Sequence, residues 1–429
     1  VGRLKIQGED KMGKEKTKIF VVGDGVAPTG FARVLNSILA RLDKLDKWEI
    51  HHLAVNYRGD PHPYSWRIYP AALAGNPMAD IYGLNRIMDL LDYIQPKLVF
   101  MLNDVWVLPM YMERIQEWHD RYKIVCYSPI DAGPIDWRWT HSLRDVDRYV
   151  VYTEFAKKVL EDSVEQWGLH SQDPIKFPKI NVIPHGIDTK VFYKLDDLQD
   201  RHGNSILTGR VNAKRQVYPN RNDFLDSFVV LNANRNQPRK RIDLTMKGFS
   251  LFSKDKPINV KLYLHMGIED MGWNIVSLAD RYHIDDRLII SNKENFLPSV
   301  PDDRLNLIYN ACDVGLNTSF GEGWGLTNFE HAATGAAQVI TGYAGGAEVF
   351  GDSAVLMKPE FFQTTEKVLT EGAVLTPDQV ADSLQKLYDN PAYLAEMSEK
   401  SYQVTQRPEF SWDSVANEFD KVFTEVLNE

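Results

Sequence analysis

The 429-residue sequence has only two cysteines, Cys126 and Cys312, far apart and in no C-x-x-C pair. That excludes a disulfide scaffold and a cysteine zinc site, and it suits a reducing compartment. Surplus positive charge is also missing. Forty-nine Lys and Arg face 59 Asp and Glu, a formal charge of −10, which argues against broad electrostatic capture of nucleic acid. No apolar run reaches membrane-spanning length. There is no G-x-S-x-G elbow for a serine hydrolase, and His51, His52 and His62 lack H-E-x-x-H spacing, reading instead as a strand surface and a loop. Residues 1–16 are polar and Lys-rich, without the apolar centre of a signal peptide, and are read as an extension outside the fold.

What is present is an ordinary globular composition, 44% hydrophobic and 25% charged. From Lys18, short β-branched runs alternate with segments of helical period, the pattern of parallel strands joined by crossover helices. Strands are predicted at Lys18–Val22, Trp48–Val55, Lys97–Leu102, Lys123–Tyr127, Arg148–Tyr152 and Lys179–Ile183. A polar stretch without clear period, Leu195 to Asn222, then interrupts the alternation. It restarts with strands at Phe228–Asn232, Val260–His265, Arg287–Ser291, Val314–Asn317 and Gln338–Ile340. The class is α/β, with two doubly wound domains and ligands expected at strand carboxyl ends in the cleft between them. The tail from Thr376 reads as three helices broken at Pro391 and Pro408.

The first predicted strand runs into Gly23-Asp-Gly25-Val-Ala-Pro28-Thr-Gly30-Phe31. As a dinucleotide fingerprint this has Pro28 in place of the third glycine, and as a P-loop it has Phe31 in place of Lys. Neither NAD nor ATP use follows. Two readings stay open, a tight packing turn and a loop with Gly30 approaching an anionic ligand.

The most informative segment runs from Asn317 through Gly321-Glu322-Gly323-Trp324-Gly325-Leu326 to Glu330. Glu322 falls in a glycine-rich loop at a strand's carboxyl end, and Glu330 about one turn inside the next helix. Gly321, Gly323 and Gly325 permit close backbone approach, with N–H groups free for phosphate. Carboxylates repel phosphate, so the two glutamates are read as accepting hydrogen bonds from hydroxyls on either side of it. That polarity, hydroxyls at each end and diphosphate between, is that of a sugar nucleotide. Cations come from Arg235, Arg239, Lys240 and Arg241, four basic residues at a strand end and helix start.

These residues carry a resemblance to the retaining GT-B glycosyltransferases of family 4. Glu322 and Glu330 match the E-x7-E motif, and Arg235 with Lys240 looks like the family's Arg and Lys pair for the diphosphate. Val182-Ile-Pro184-His185-Gly186-Ile-Asp188 and Gly345-Gly346-Ala-Glu348 are similar to two further family segments. The resemblance implies two Rossmann-like domains facing across a cleft: residues 17–205 on the acceptor side and 206–407 on the nucleotide-sugar side. Residues 408–429, opened by Ser411-Trp412, would cross back onto the first domain.

It also implies that Glu330 binds ribose, that Glu322 meets donor-sugar hydroxyls, and that Arg235 and Lys240 stabilise the leaving diphosphate. Gly30, His185, Gly323, Trp324, Gly325 and Leu326 complete the implied donor site. Where many members have a histidine near the sugar, this chain has Asp131, read either as its replacement or as an Asx-type turn before Gly133. Arg241 stands where the family often has Gly. Asn103 and Asp104, ending a predicted strand, and Trp137, in an aromatic and basic cluster, are acceptor-side candidates.

The expected activity is therefore transfer of a hexose from a UDP- or GDP-sugar to a hydroxyl on a glycan, a lipid-linked or a small-molecule acceptor. No cofactor and no metal are expected: the D-x-D triplet Asp145-Val-Asp147 precedes a strand rather than ending one, and reads as solvated charge. A cytoplasmic location is expected, with peripheral membrane contact through the Trp137 cluster left open. An epimerase or hydrolase on the same architecture, or a non-catalytic sugar-nucleotide-binding protein, remains the alternative.

Overall fold

A computed structural model describes residues 15–72, 80–115, 120–172, 175–291 and 300–429. The N-terminal extension therefore lies outside the described residues up to residue 14. Seven parallel strands form the first sheet: β1 (Thr17–Asp24), β2 (Trp48–Val55), β3 (Arg67–Pro70), β4 (Leu98–Leu102), β5 (Lys123–Ser128), β6 (Arg148–Val151) and β7 (Ile180–Val182), in spatial order 3-2-1-4-5-6-7. A short hairpin, β8 (Leu198–Gln199) and β9 (Ser205–Leu207), follows. The second parallel sheet holds β10 (Phe228–Asn232), β11 (Val260–Leu264), β12 (Leu288–Ile290), β13 (Val314–Asn317), β14 (Ala337–Thr341) and β15 (Val355–Met357), ordered 12-11-10-13-14-15. An antiparallel pair, β16 (Phe361–Thr364) and β17 (Glu371–Val374), stands apart.

The central strands are apolar on both faces because helices cover both sides of each sheet. Ile19, Phe20, Val21 and Val22 of β1 are all buried. The helix Gly30–Lys44 starts at Thr29, whose side chain accepts the Ala32 N–H, and buries Val34, Leu35, Ile38, Leu39 and Leu42. In both sheets the order reverses beside the first strand, β1 or β10, so β1, β4, β10 and β13 end at the cleft between the domains.

The last helix, Trp412–Asn428, returns to the first domain. Phe419 and Phe423 lie 5.2 and 5.1 Å from Phe100, and Asp420 accepts hydrogen bonds from Trp48 Nε1 (2.8 Å) and Lys47 Nζ (3.0 Å). Gly186 is required here, since a Cβ would stand 2.6 Å from the Trp412 nitrogen.

Some expectations need correction. His51 and His52 are not on a strand surface; both are buried, His51 between Tyr69 and Glu49, His52 against the Gly23 carbonyl. The polar stretch 195–222 holds the β8–β9 hairpin and a helix, Gly209–Val217. Its buried face includes Lys214, which pairs with Asp313 at 3.1 Å, so no apolar stripe marked it. Asp147 is bound within the sheet, by Lys123 Nζ (2.9 Å) and the Ile124 N–H (2.8 Å).

Candidate active site

The loop after β13 and the segment after β10 meet at one carboxylate. Glu322 Oε1 and Oε2 lie 2.5 and 2.7 Å from Lys240 Nζ, and Oε1 also accepts from Asn317 Nδ2 (3.1 Å) and Ser319 Oγ (2.9 Å). Burial opposes the charge, but Lys240 and Arg239 outweigh it and hold the Glu322 carboxyl below the usual carboxylate range. Burial, then Arg239, lowers the Lys240 amine, while Glu322 opposes that drop. A buried ion pair of this geometry keeps both charges.

Lys240 is placed by a single 3₁₀ turn, Pro238–Lys240, that ends with Arg241 in the left-handed region at φ 50°. Arg241 takes the conformation glycine reaches more easily, and its pairing with Asp243 at 3.0 Å helps hold it there. Gly325, at φ 87°, opens the helix Leu326–Ala332 that carries Glu330.

Glu330 is buried, its Oε2 accepting from the Tyr309 hydroxyl at 3.1 Å. Its Oε1 lies 3.2 Å from Arg33 Nε of the first domain, and Arg33 also pairs with Asp302 at 2.7 Å. Burial raises the Glu330 carboxyl and Arg33 opposes that rise; in turn Glu330 is the main cause holding the Arg33 guanidinium further up. Arg33, Asp302, Glu330, Asp188 and Trp412 border a cavity of about 150 Å³ between the domains. Gly30 sits close by, where a Cβ would come 3.3 Å from Leu326.

The loop after β5 reaches across the cleft. Asp131 Oδ1 accepts the Gly323 N–H (2.8 Å) and Oδ2 pairs with Arg239 (2.8 Å). The Gly133 N–H reaches the Tyr343 hydroxyl (3.2 Å), and its carbonyl accepts the Glu371 N–H (2.8 Å). Glycine is required at two of these approaches: a Cβ at Gly321 or at Gly345 would stand 2.1 Å from the carbonyl oxygen of Asp131 or of Gly323. Glu348 accepts the N–H groups of Glu154 (2.9 Å) and Phe155 (2.7 Å), adding a carboxylate from the second domain to the N-terminus of the helix Glu154–His170.

The remaining candidates are divided. Asn103 and Asp104 end β4 at the cleft; burial first, then the Asp131 charge, pushes the Asp104 carboxyl up to about 7. His185 and Trp324 are buried. Each is 3% exposed, and His185 packs against Tyr152 at 3.9 Å and Trp324 at 5.5 Å, forming an aromatic floor under the glycine loop. Burial lowers the His185 imidazole to about 3, so it is neutral. Trp137 stacks on His170 at 5.0 Å, between helices, with Arg138 over its ring. Arg235 faces Asp270, at 2.6 and 3.1 Å, rather than Glu322.

Arg33 and Arg239 were not singled out by sequence. Arg33 follows the first glycine loop by one helical turn, a faint signal; Arg239 was hidden among four similar cations.

The same architecture occurs in solved structures. The chain superimposes on sucrose-phosphate synthase from Thermosynechococcus elongatus with a TM-score of 0.70 at 14% identity, over 96% of this chain and 100% of that one. Against Anabaena HepE in complex with UDP and glucose the TM-score is 0.66 at 13% identity, covering 95% and 100%. The architecture is GT-B. Residues 214–404 match the family model described as glycosyl transferases group 1.

Mannosylfructose-phosphate synthase from Agrobacterium fabrum is 28% identical over 205 residues, 47% of this chain and 39% of that protein. The serotype-specific mannosyltransferase WbdA from Escherichia coli is 23% identical over 219 residues, 51% of this chain and 24% of that protein. The alignments thus span two-fifths or less of these curated relatives. These findings support a transferase enzyme. Among the described residues, no helix is long and apolar enough to cross a membrane.

Proposed function

We propose that this chain is a retaining, metal-independent glycosyltransferase that moves a hexose from a nucleoside diphosphate sugar to a hydroxyl acceptor. The observation that carries the reading is the buried Glu322–Lys240 pair at the cleft, with Glu330 eight residues on, about one turn inside the helix that follows the same loop. The matched family and the mannosyl- and sucrose-phosphate-forming relatives support the same reaction class.

In this reading Glu330 accepts hydrogen bonds from ribose hydroxyls, displacing Arg33 from its Oε1. The bond from the sugar's anomeric carbon to the diphosphate oxygen breaks, and its electron pair leaves with the diphosphate. Lys240 stabilises that developing charge, the electrostatic role that dominates such transfers. The acceptor oxygen bonds to the same face of the anomeric carbon, and its proton passes to the departing phosphate oxygen. The products are a glycoside and a nucleoside diphosphate. Glu322, held ionised, orients Lys240 and accepts from donor-sugar hydroxyls. Protein cations placed at the diphosphate do the work a divalent ion does elsewhere, which supports metal independence.

The test is product analysis with UDP-glucose and GDP-mannose under EDTA, with and without candidate acceptors. Acceptor-dependent release of nucleoside diphosphate, with an axial configuration kept in the product, is the expected result. Release of free sugar or of an epimer without acceptor contradicts transfer.

A further inference from the structure

We propose that Arg33 is an autoinhibitory latch: it ties the first domain to Glu330 through the carboxylate oxygen that ribose needs, and a donor binds by taking that oxygen over. The inference rests on the transferase reading above and adds the regulation of its site.

Both carboxylate oxygens of Glu330 are engaged. Tyr309, from the same domain, donates to Oε2 at 3.1 Å, and Arg33 Nε of the first domain stands 3.2 Å from Oε1. Only 6% of Glu330 is exposed, which leaves Oε1, the oxygen facing the other domain, as the point of entry for a ribose hydroxyl. The guanidinium has another place to go. Its Nη2 already donates to Asp302 at 2.7 Å, a carboxylate that is 48% exposed, and it lies over the Phe192 ring at 5.2 Å. Giving up Glu330 therefore leaves the Arg33 charge paired and solvated instead of stranded. The cavity of about 150 Å³ bordered by Arg33, Asp302 and Glu330 gives the side chain room to swing.

Arg33 is placed by the first turn of the helix Gly30–Lys44, where its N–H donates to the Thr29 carbonyl at 3.0 Å. The first glycine loop thus delivers a cation to the ribose carboxylate of the facing domain. Closure does not depend on the latch alone. Asp131 on the Gly323 N–H, and Glu348 on the Glu154 and Phe155 N–H groups, also join the domains and involve neither Arg33 nor Glu330. Release of Arg33 frees the donor site and leaves those contacts in place.

The experiment is calorimetric titration of the full chain with UDP, GDP and ADP. The wild type, Arg33→Met, Arg33→Gln, Arg33→Lys, Glu330→Ala and the Arg33→Met/Glu330→Ala double variant are compared. Removing a cation beside an anionic ligand ordinarily weakens binding, so the sign of the effect separates a latch from a donor contact. Arg33→Met and Arg33→Gln are expected to tighten the preferred diphosphate about tenfold, which corresponds to a latch closed in about nine molecules of ten. Arg33→Lys keeps the charge and is expected to stay within about threefold of the wild type. With Glu330 already Ala, Arg33→Met has nothing to release and is expected to change affinity by less than about twofold.

Unchanged or weaker diphosphate binding in Arg33→Met and Arg33→Gln overturns the latch, and the weaker result makes Arg33 a donor contact instead. Equal tightening in the Glu330→Ala background overturns Glu330 as the group that is latched. Absence of binding by all three diphosphates, in both the wild type and Arg33→Met, removes the nucleotide-sugar reading itself, a different result from either.

Discussion

Replacing Lys240 by Met keeps most of the side chain's apolar volume and removes its charge, so it isolates the ion pair. At 2.5 to 2.7 Å and an effective dielectric near 20, the attraction between Lys240 and Glu322 is about 6 kcal/mol before desolvation. Removing one partner of a buried pair ordinarily costs about 3–5 kcal/mol, because the other charge is left behind. Here Glu322 keeps Asn317, Ser319 and, at 4.0 Å, Arg239. Those donors offset part of the loss, and the expected cost of Lys240→Met is about 2–3 kcal/mol. The double variant Lys240→Met/Glu322→Gln leaves no stranded charge and should fall within about 1 kcal/mol of the wild type. Urea unfolding followed by tryptophan fluorescence measures both. A single-variant cost below about 1 kcal/mol, or a double variant as unstable as the single, refutes the argument that the pair is buried and mutually dependent.

Further outcomes follow from the same geometry. Glu330→Ala should weaken nucleoside diphosphate binding itself, because ribose hydrogen bonds form before chemistry; unchanged affinity in calorimetry removes Glu330 from that role. Lys240→Ala should lower turnover more than donor affinity, and a pure affinity loss in steady-state kinetics contradicts a leaving-group role. Gly345→Ala places a Cβ against the Gly323 carbonyl oxygen and should destabilise by about 2 kcal/mol or more, read as a fall in Tm.

His52, His185, His265 and His331 are held low by burial, to between about 3 and about 4, against an ordinary value of 6.5. The unfolded chain protonates them first. Stability is therefore full above pH 6.5 and falls below it, each histidine costing up to about 1.4 kcal/mol per pH unit until its folded value is reached. A Tm that stays flat from pH 7 to pH 5 contradicts this.

The central strands were legible because buried parallel strands are short, largely apolar runs, as in Phe228–Asn232 and Val314–Asn317, whose bounds match. The strand Arg67–Pro70 was not, being a four-residue edge with a charge at one end and proline at the other. β16 escaped because the residues Phe361–Thr364 are exposed on both faces and carry no alternation. At the site, Glu322, Glu330 and Lys240 were readable because each lies at a fixed spacing within one strand-to-helix segment. Arg33, which reaches Glu330 across the cleft from the other domain, was not, and although Asp131 was named, its pairing with Arg239 and the Gly323 N–H was not, because a pairing between distant segments leaves no local periodicity. His185 was placed in the donor site by its motif, whereas its neighbours Tyr152 and Trp412 make it part of the aromatic floor.

Calorimetric titration of the wild type with UDP, GDP and ADP and their hexose conjugates, with EDTA throughout, tests the central claim most directly. The account predicts saturable, metal-free binding of one nucleotide class, lost when Glu330 is replaced by Ala. Absence of binding by all of them, or binding that EDTA abolishes, would contradict it.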